Sequence, residues 1–419
     1  MRKLHGLGPK CEAFDCLASQ RLRYILGTSN ADTVICSPKT HASCVEVAEN
    51  PIVSKQDAFT DDGGHDSWGQ PLVTANNIAY VAFTSGSTGT PKSVVIEHGM
   101  NHSMLKGWES LWSICSTTRC LWFSSPAFDA TILEVPLMLA AGGRICISSD
   151  EERMNNLEGA MSDMKVNWSF FVPSVARTLS PSEIPGLRLL VLGGETLAPS
   201  DLEMWLPHVE LHIAYGPTEC TAMTTSRQVT ALDMNRINIG HAPAATCWIV
   251  ETPIITISFD QWEPLEKMAA AFVENPTWAS DFPGLSVSQL YKSGDLARFD
   301  PDGILIYLGR KDPQVKINRQ RIELQEIEQC AKQHLPNMEA VAEVVSFQHN
   351  KGSKLALFTC LAAGEIKMSL SEKEGGIFLP PADSDNFQRE NLRKHLKQSL
   401  APYMVPWLVI PLSYLIDRV

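Results

Sequence analysis

The chain has 419 residues, 44% of them hydrophobic and 20% charged, which is long enough for two or three domains and ordinary for a globular protein. Its 47 acidic and 35 basic side chains give a formal net charge of -12, the opposite of the basic footprint that nucleic-acid binding needs. Neither DNA nor RNA is an expected partner.

Met1 to Cys16 carries Arg2, Lys3 and Lys10 but no continuous apolar stretch of the kind a secretory signal requires. From Ile78 onward, short β-rich runs alternate with helical-length segments, the pattern of an α/β fold. Strands are predicted at Ile78 to Phe83, Leu121 to Ser124, Arg144 to Ile147, Trp168 to Val172 and Leu187 to Leu192, with amphipathic helices at Ala130 to Ala140 and Glu151 to Met164. A hairpin follows: Leu296 to Phe299, the turn Asp300-Pro301-Asp302-Gly303, then Ile304 to Leu308. After Arg310 the pattern changes to a helix at Glu323 to Leu335, strands at Ala340 to Phe347 and Leu355 to Leu361, a polar loop at Glu372 to Asp385 and a helix at Asn386 to Leu400. Two domains are therefore expected, residues 1–311 and 312–419, joined at Lys311 to Asp312.

The run Trp407 to Ile416 is about half the roughly 20 residues a membrane-spanning helix needs and is interrupted by Pro411, so it reads as a buried strand and no membrane partner is expected. The 11 cysteines contain no Cys-x-x-Cys pair and read as buried thiols in a reducing cytoplasm, the expected location.

The most informative segment runs from Phe83 through Thr84, Ser85, Gly86, Ser87, Thr88, Gly89, Thr90, Pro91 and Lys92 to Ser93, directly after an apolar strand. Glycines let the backbone approach an anion, hydroxyls add donors and Lys92 adds a positive charge, a combination that suits a polyphosphate. A Walker loop fits less well. Pro91 stands where its second glycine belongs, and Val94, Val95 and Ile96 predict a strand where it needs a helix.

Further strings follow in order: Phe128-Asp129-Ala130, Ala214-Tyr215-Gly216-Pro217-Thr218-Glu219, Tyr291-Lys292-Ser293-Gly294-Asp295 and Gly309-Arg310-Lys311-Asp312-Pro313-Gln314-Val315-Lys316-Ile317. Together they resemble the adenylate-forming (AMP-binding) superfamily, specifically the adenylation domains of fungal-type nonribosomal peptide synthetases, over about Gln20 to Arg418. The resemblance implies a large core of stacked α/β sheets, its N-terminal layer incomplete, with a small α+β C-terminal domain. It implies ATP and Mg2+ as cofactors, an amino acid as substrate and a carrier protein or synthetase as partner, with phosphopantetheine only on that separate carrier domain.

By the same resemblance, Thr84, Ser85, Gly86, Ser87, Thr88, Gly89 and Lys92 hold the departing phosphates, and Gly194, Glu195 and Thr218 join the nucleotide site. Tyr215 stacks on adenine, and Asp295 accepts hydrogen bonds from both ribose hydroxyls. Glu219 helps hold magnesium, a hard cation that favours oxygen ligands. Arg310 assists at the ribose and phosphates, making Glu219 and Arg310 the candidate catalytic residues, and Asp312 marks the family's hinge. Plainer readings stand beside these: a turn aromatic for Tyr215, a helix cap for Glu219 and a strand-preceding residue for Asp295.

Asp129 takes the place where the family pairs a carboxylate with the substrate's α-ammonium, although a helix N-cap before Ala130 to Leu137 is the competing reading. The implied pocket walls are Ala130, Leu133, Phe170, Val191, Gly193, Ala214, Ala222 and Met223, none of them charged, which favours an apolar or small substrate side chain. The position of Phe170 is open to a shift of one residue.

Several features depart from the family. The layer before the phosphate loop is expected to be missing or reduced to the segment around Arg21 to Pro38. Val250 to Glu266 replaces a glycine-rich strand and loop. Ser93, Ile213, Arg319 and Gln325 replace frequent motif residues, and a glycine at the Arg319 position serves a tight turn. Pro411-Leu412-Ser413-Tyr414-Leu415-Ile416 runs straight into Asp417-Arg418, where the family carries a Gly-Lys pair, so the catalytic lysine is absent. Three readings follow: an amino-acid adenylating enzyme, an impaired or inactive nucleotide-binding remnant of a truncated gene product, and, less favoured because of Asp129, an acyl-coenzyme A ligase.

Overall fold

The computed structural model describes residues 19–31, 33–38, 40–48, 51–53, 73–84, 91–230, 235, 237–243, 247–249, 254–256, 272–274, 289–301, 304–310, 314–317, 320–335, 338–347, 350–361 and 383–412. The chain divides into two compact units. One comprises Met1–Thr60, Phe83–Ser93 and Pro313–Val419, and the other Asp61–Ala82 and Val94–Asp312.

The second unit is built on a six-stranded sheet in the order Thr225–Gln228, Glu210–Tyr215, Leu189–Gly193, Trp168–Phe171, Arg119–Leu121, Arg144–Cys146. All neighbours are parallel except Thr225–Gln228, which runs antiparallel to Glu210–Tyr215. Parallel strands covered on both faces carry continuous apolar runs, and Trp168–Phe171 and Leu189–Gly193 are buried at every position. Side-chain alternation sends Phe171, Leu190, Leu192 and Ile213 into one buried cluster with Met161, Leu202 and Trp205. Phe170, Leu189, Val191 and Ala214 enter another, with Leu105, Trp108, Leu133 and Leu137. Helical residues thus contribute to the core on each face of one sheet.

Two predicted helices are each divided. Ala130 to Ala140 becomes Thr131–Glu134 and Pro136–Ala140, because Pro136 lacks the amide that would carry the helix through. Glu151 to Met164 becomes Asp150–Asn155 and Leu157–Asp163, separated at Asn156 with φ -153 and ψ 53. Ser149 starts the first of these with a capping box: its hydroxyl accepts the Glu152 amide at 3.2 Å, and the Glu152 carboxylate accepts the Ser149 amide at 2.8 Å. The hairpin forms from Asp295–Phe299 and Leu305–Arg310 with a bulge, since Leu296 faces Gly309 while Ala297 faces Tyr307. Asn238–Gly240 pairs with its second strand.

In the first unit, Met338–Phe347 and Asn350–Leu361 pair antiparallel, and Leu408–Pro411 adds in parallel as a half-buried strand. The helices Leu324–His334 and Asp383–Ser399 contribute Ile327, Ala331, Leu392 and Leu396 to its core. Helix Ser19–Ser29 belongs to the same unit. Its Arg21 donates to Glu326 at 2.9 Å, with the two side chains 6% and 2% exposed. Among the described residues eight cysteines are free thiols, all buried except Cys115. No helix of the described residues is long and apolar enough to cross a membrane.

Candidate functional site

Three adjacent parallel strands end at Phe171, Gly193 and Tyr215, and in open α/β sheets ligands bind outside such carboxyl ends. The backbone there is crowded. A Cβ on Gly193 would meet the Ala214 carbonyl oxygen at 2.6 Å, and one on Gly216 would meet the Met223 Cα at 2.4 Å and the Ala222 carbonyl oxygen at 2.6 Å. Gly216 therefore lets the chain fold back on itself through the short 3-10 turn Thr218–Cys220. That turn closes on Thr221 and Ala222, with φ of 60 and 70, left-handed conformations that cost non-glycine residues about 1–2 kcal/mol each. Glu219 is buried within it. It does not cap a helix, since the turn begins at Pro217 without a side-chain cap.

Asp295, also buried, gathers several of the predicted site residues. Tyr215 Oη donates to its Oδ2 at 2.5 Å, Arg310 Nη1 donates to Oδ1 at 3.0 Å, and Tyr307 Oη reaches Oδ1 at 3.4 Å. Its own amide donates to Ser293 Oγ at 3.2 Å, and Arg310 Nη2 donates to the Ser293 carbonyl at 3.1 Å. The hairpin bulge fits this arrangement, because Asp295 pairs with Arg310 while Tyr307 sits opposite Ala297. The rings of Tyr215 and Tyr307 lie 5.7 Å apart at 41°. Burial, and then the Asp295 charge, push the Tyr215 phenol far up, so Tyr215 remains a donor. Ser293 stands within the motif Tyr291-Lys292-Ser293-Gly294-Asp295 without an assigned role, and Tyr307 was not anticipated; the alternation of its hairpin strand was the available signal.

Asp129 is half-buried, and Thr218 Oγ1 donates to its Oδ2 at 2.5 Å. The helix that follows starts at Thr131, with Ala130 as N-cap and no side-chain cap bond, so the capping role falls away. The turn carrying Asp129 is pinned by Glu134, a fully buried carboxylate that accepts the Ser124 amide at 2.9 Å and the Ser124 hydroxyl at 3.1 Å. Ala130, Leu133, Phe170, Val191, Ala214 and Met223 fall in a single buried cluster, and Gly193 and Ala222 are buried too. Phe170 faces Val191 across the ladder and shares its cluster, while Phe171 joins the cluster on the opposite face. His212, paired with Val191, was not anticipated. It is buried, its Nε2 lies 3.0 Å from Glu210, and burial lowers its pKa.

Glu195 sits elsewhere: its carboxylate accepts both the amide and the hydroxyl of Ser174 at 3.0 Å, holding the start of helix Pro173–Ala176. Gly194 has φ +83. Thr84 and Lys92 lie in the first unit. Thr84 Oγ1 is buried with no hydrogen-bond partner among the described residues, an orphaned group that a ligand oxygen fits. Ser85, Gly86, Ser87, Thr88, Gly89 and Asp312 lie outside the described residues, as do Arg319 and residues 413–419. No group of three or more His, Cys, Asp or Glu among the described residues can hold a metal ion. Glu219 as a single carboxylate suits magnesium, which takes most of its ligands from phosphate and water.

The sequence profile of the AMP-binding enzyme family matches residues 13–253. The chain is 39% identical over 422 residues to the nonribosomal peptide synthase roqA of Penicillium rubens, covering 95% of this chain and 18% of that protein. It thus spans less than a fifth of that relative's length. The Vibrio cholerae adenylation domain AlmE, solved with glycyl-adenosine-5'-phosphate, superposes with a TM-score of 0.71 at 19% identity, covering 95% of this chain and 80% of that one. A malonyl-CoA ligase, solved with methylmalonyl-CoA and AMP, superposes at 0.72 with 20% identity, covering 96% and 84%. At these identities the two structures speak to the fold.

Proposed function

The chain belongs to the AMP-binding enzyme family, and on that premise we propose that it activates an amino acid as its aminoacyl adenylate for transfer to the phosphopantetheine thiol of a separate carrier protein. In this reaction a carboxylate oxygen of the amino acid bonds to the α-phosphorus of ATP while the bond to pyrophosphate breaks, and the pyrophosphate leaves. The thiol sulfur later takes the acyl group and AMP departs. The observation that carries the proposal is Asp129. Its carboxylate is held by Thr218, its turn is pinned by Glu134, and it directly precedes Ala130 of the uncharged buried cluster. A carboxylate so placed binds an α-ammonium and orients the amino acid, while the apolar residues accept a small or apolar side chain.

Asp295, Tyr215 and Arg310 form the nucleotide's ribose and base side, and Glu219 holds magnesium, which neutralises phosphate charge when bound. Thr84 to Lys92 hold the phosphates, and Asp312 serves as hinge between residues 1–311 and 312–419. Amino-acid-dependent exchange of pyrophosphate into ATP, run across the twenty amino acids, tests the reading. Exchange stimulated by one apolar amino acid supports it, and absence of both exchange and amino-acid binding overturns it. A second reading, a nucleotide-binding remnant, is favoured by one feature: Ile416 adjoins Asp417 with no Gly-Lys pair before it. Binding of ATP without exchange would select it. Coenzyme A ligation is the weaker alternative, because a plain carboxylic acid offers Asp129 no cation.

A further inference from the structure

Tyr80 lies in the strand Ile78–Thr84 and plays no part in the network described above. Its ring packs against the buried cluster that holds Ala130, Leu133, Phe170, Val191, Ala214 and Met223, alongside Phe128, the residue before Asp129. Its Oη is buried and has no hydrogen-bond partner among the described residues. A buried hydroxyl without a partner is costly to keep in an apolar cluster, and phenylalanine would fill the same volume without that cost. The Asp129 charge also reaches this phenol: burial first, and then Asp129, push its pKa upward, so the hydroxyl stays neutral. Tyr80 and Phe128, the residue before Asp129, thus pack against the same cluster, whose other named walls are apolar, and the Tyr80 hydroxyl is an unpartnered polar group there.

An ammonium group carries three N–H donors and no acceptor, and a single carboxylate already engaged by Thr218 does not satisfy it alone. Resting on the amino-acid reading proposed above, we infer that Tyr80 is a specificity-determining residue whose hydroxyl oxygen accepts a second hydrogen bond from the α-ammonium of the bound amino acid, beside Asp129. The hydroxyl separates amino acids from carboxylic acids of the same shape, because only the former bring a donor to it.

The test compares the full chain with Tyr80→Phe and Asp129→Asn by calorimetry, using L-alanine, L-valine, L-leucine and L-phenylalanine as probes. Their des-amino counterparts are propanoate, 3-methylbutanoate, 4-methylpentanoate and 3-phenylpropanoate. Tyr80→Phe is expected to weaken the best-bound amino acid by about 10-fold, the scale of one hydrogen bond to a charged group, and to leave its des-amino counterpart unchanged. The thermal midpoint should hold or rise, since an orphaned hydroxyl has been removed. Three results overturn the inference: unchanged amino-acid affinity, equal weakening of both ligands, or a fall in the midpoint, which would mark the hydroxyl as structural. If Asp129→Asn loses the amino acid while Tyr80→Phe keeps it, only the Tyr80 inference fails. If the unaltered chain binds none of these four nor any other of the twenty amino acids, the proposed function fails and takes this inference with it.

Discussion

Replacing Tyr215 with phenylalanine separates its hydrogen bond to Asp295 from the adenine stacking proposed for its ring. The ring is kept, so an adenine stacked on it loses nothing, whereas the hydrogen bond from Oη to Asp295 Oδ2 at 2.5 Å is removed. A bond to a charged, buried acceptor contributes about 1.5–3 kcal/mol. The loss should sit at the lower end, about 1.5 kcal/mol, because Asp295 keeps Arg310 at 3.0 Å and Tyr307 at 3.4 Å and is not left stranded. That corresponds to about a tenfold change in the unfolding equilibrium. Urea unfolding should show the midpoint falling with an unchanged slope, while calorimetry should find ATP affinity within about threefold of the original. Tyr215→Ala removes the ring as well, and should lose ATP affinity in addition to about 3–5 kcal/mol of stability. If phenylalanine and alanine weaken ATP equally, stacking is not what Tyr215 provides. If phenylalanine leaves the midpoint unmoved, the Asp295 network contributes nothing to the folded state.

Asp129→Ala should weaken amino-acid binding by about 10-fold or more while ATP binding is spared, and equal loss of both would show that Asp129 only shapes the turn. Pyrophosphate exchange should run about 100- to 1000-fold below that of a family member carrying the terminal lysine, because a preorganised charge acts mainly in the transition state. A Gly-Lys-containing loop inserted between Leu415 and Ile416 should restore it, and vigorous exchange by the unaltered chain would refute this, with Lys397 or Lys316 the first substitutes to examine. The thermal midpoint should fall as the medium is acidified. Burial lowers the pKa of both His212 and His395 from 6.5, so their contribution is fully present above that value and is lost as pH falls through the lowered folded values. His212→Gln should flatten the profile measured from about pH 8 to about pH 5, and an unchanged slope would exclude His212 as a source.

The central strands of the main sheet were legible because buried parallel strands are unbroken apolar runs, so Trp168–Phe171 and Leu189–Gly193 differ from their predicted spans only at the ends, whereas Arg119–Leu121 shares only Leu121 with the predicted Leu121 to Ser124. Helices were less well bounded. Periodicity carried the predicted helices through Val135 and Asn156, whereas local chemistry broke them there, at a proline on one side and a non-helical Asn156 on the other. Motif order pointed to Tyr215, Asp295 and Arg310, which the fold joins at the Asp295 carboxylate, Arg310 from the facing arm of the hairpin and Tyr215 from a strand 80 residues away in sequence. Glu134 and Tyr80 stayed hidden for a physical reason. A Glu inside a helical run looks like a solvated charge and a Tyr in a strand looks like core. Only the three-dimensional arrangement shows the first fully buried against Ser124 and the second with its hydroxyl orphaned. No one-dimensional pattern announces the Arg21 and Glu326 pair, whose members are 305 residues apart.

That pair dictates an order of events during synthesis. Helix Ser19–Ser29 emerges well before helix Leu324–His334, because Arg21 and its acidic partner Glu326 are 305 residues apart. At about 5–20 residues per second the ribosome needs roughly 15–60 seconds to deliver it. Throughout that interval Leu22, 1% exposed in the finished chain, waits without helix Asp383–Ser399, which lies against helix Ser19–Ser29 and is made later still. An isolated helix of 11 residues is itself marginal in water, so the segment waits as a fluctuating coil. The entropic cost of closing so long a loop grows only slowly with its length, so the delay falls on the rate of folding far more than on final stability. Helix Ser19–Ser29 therefore gains its native cover late, and its apolar residues stay open to non-native contacts while translation of the intervening chain continues.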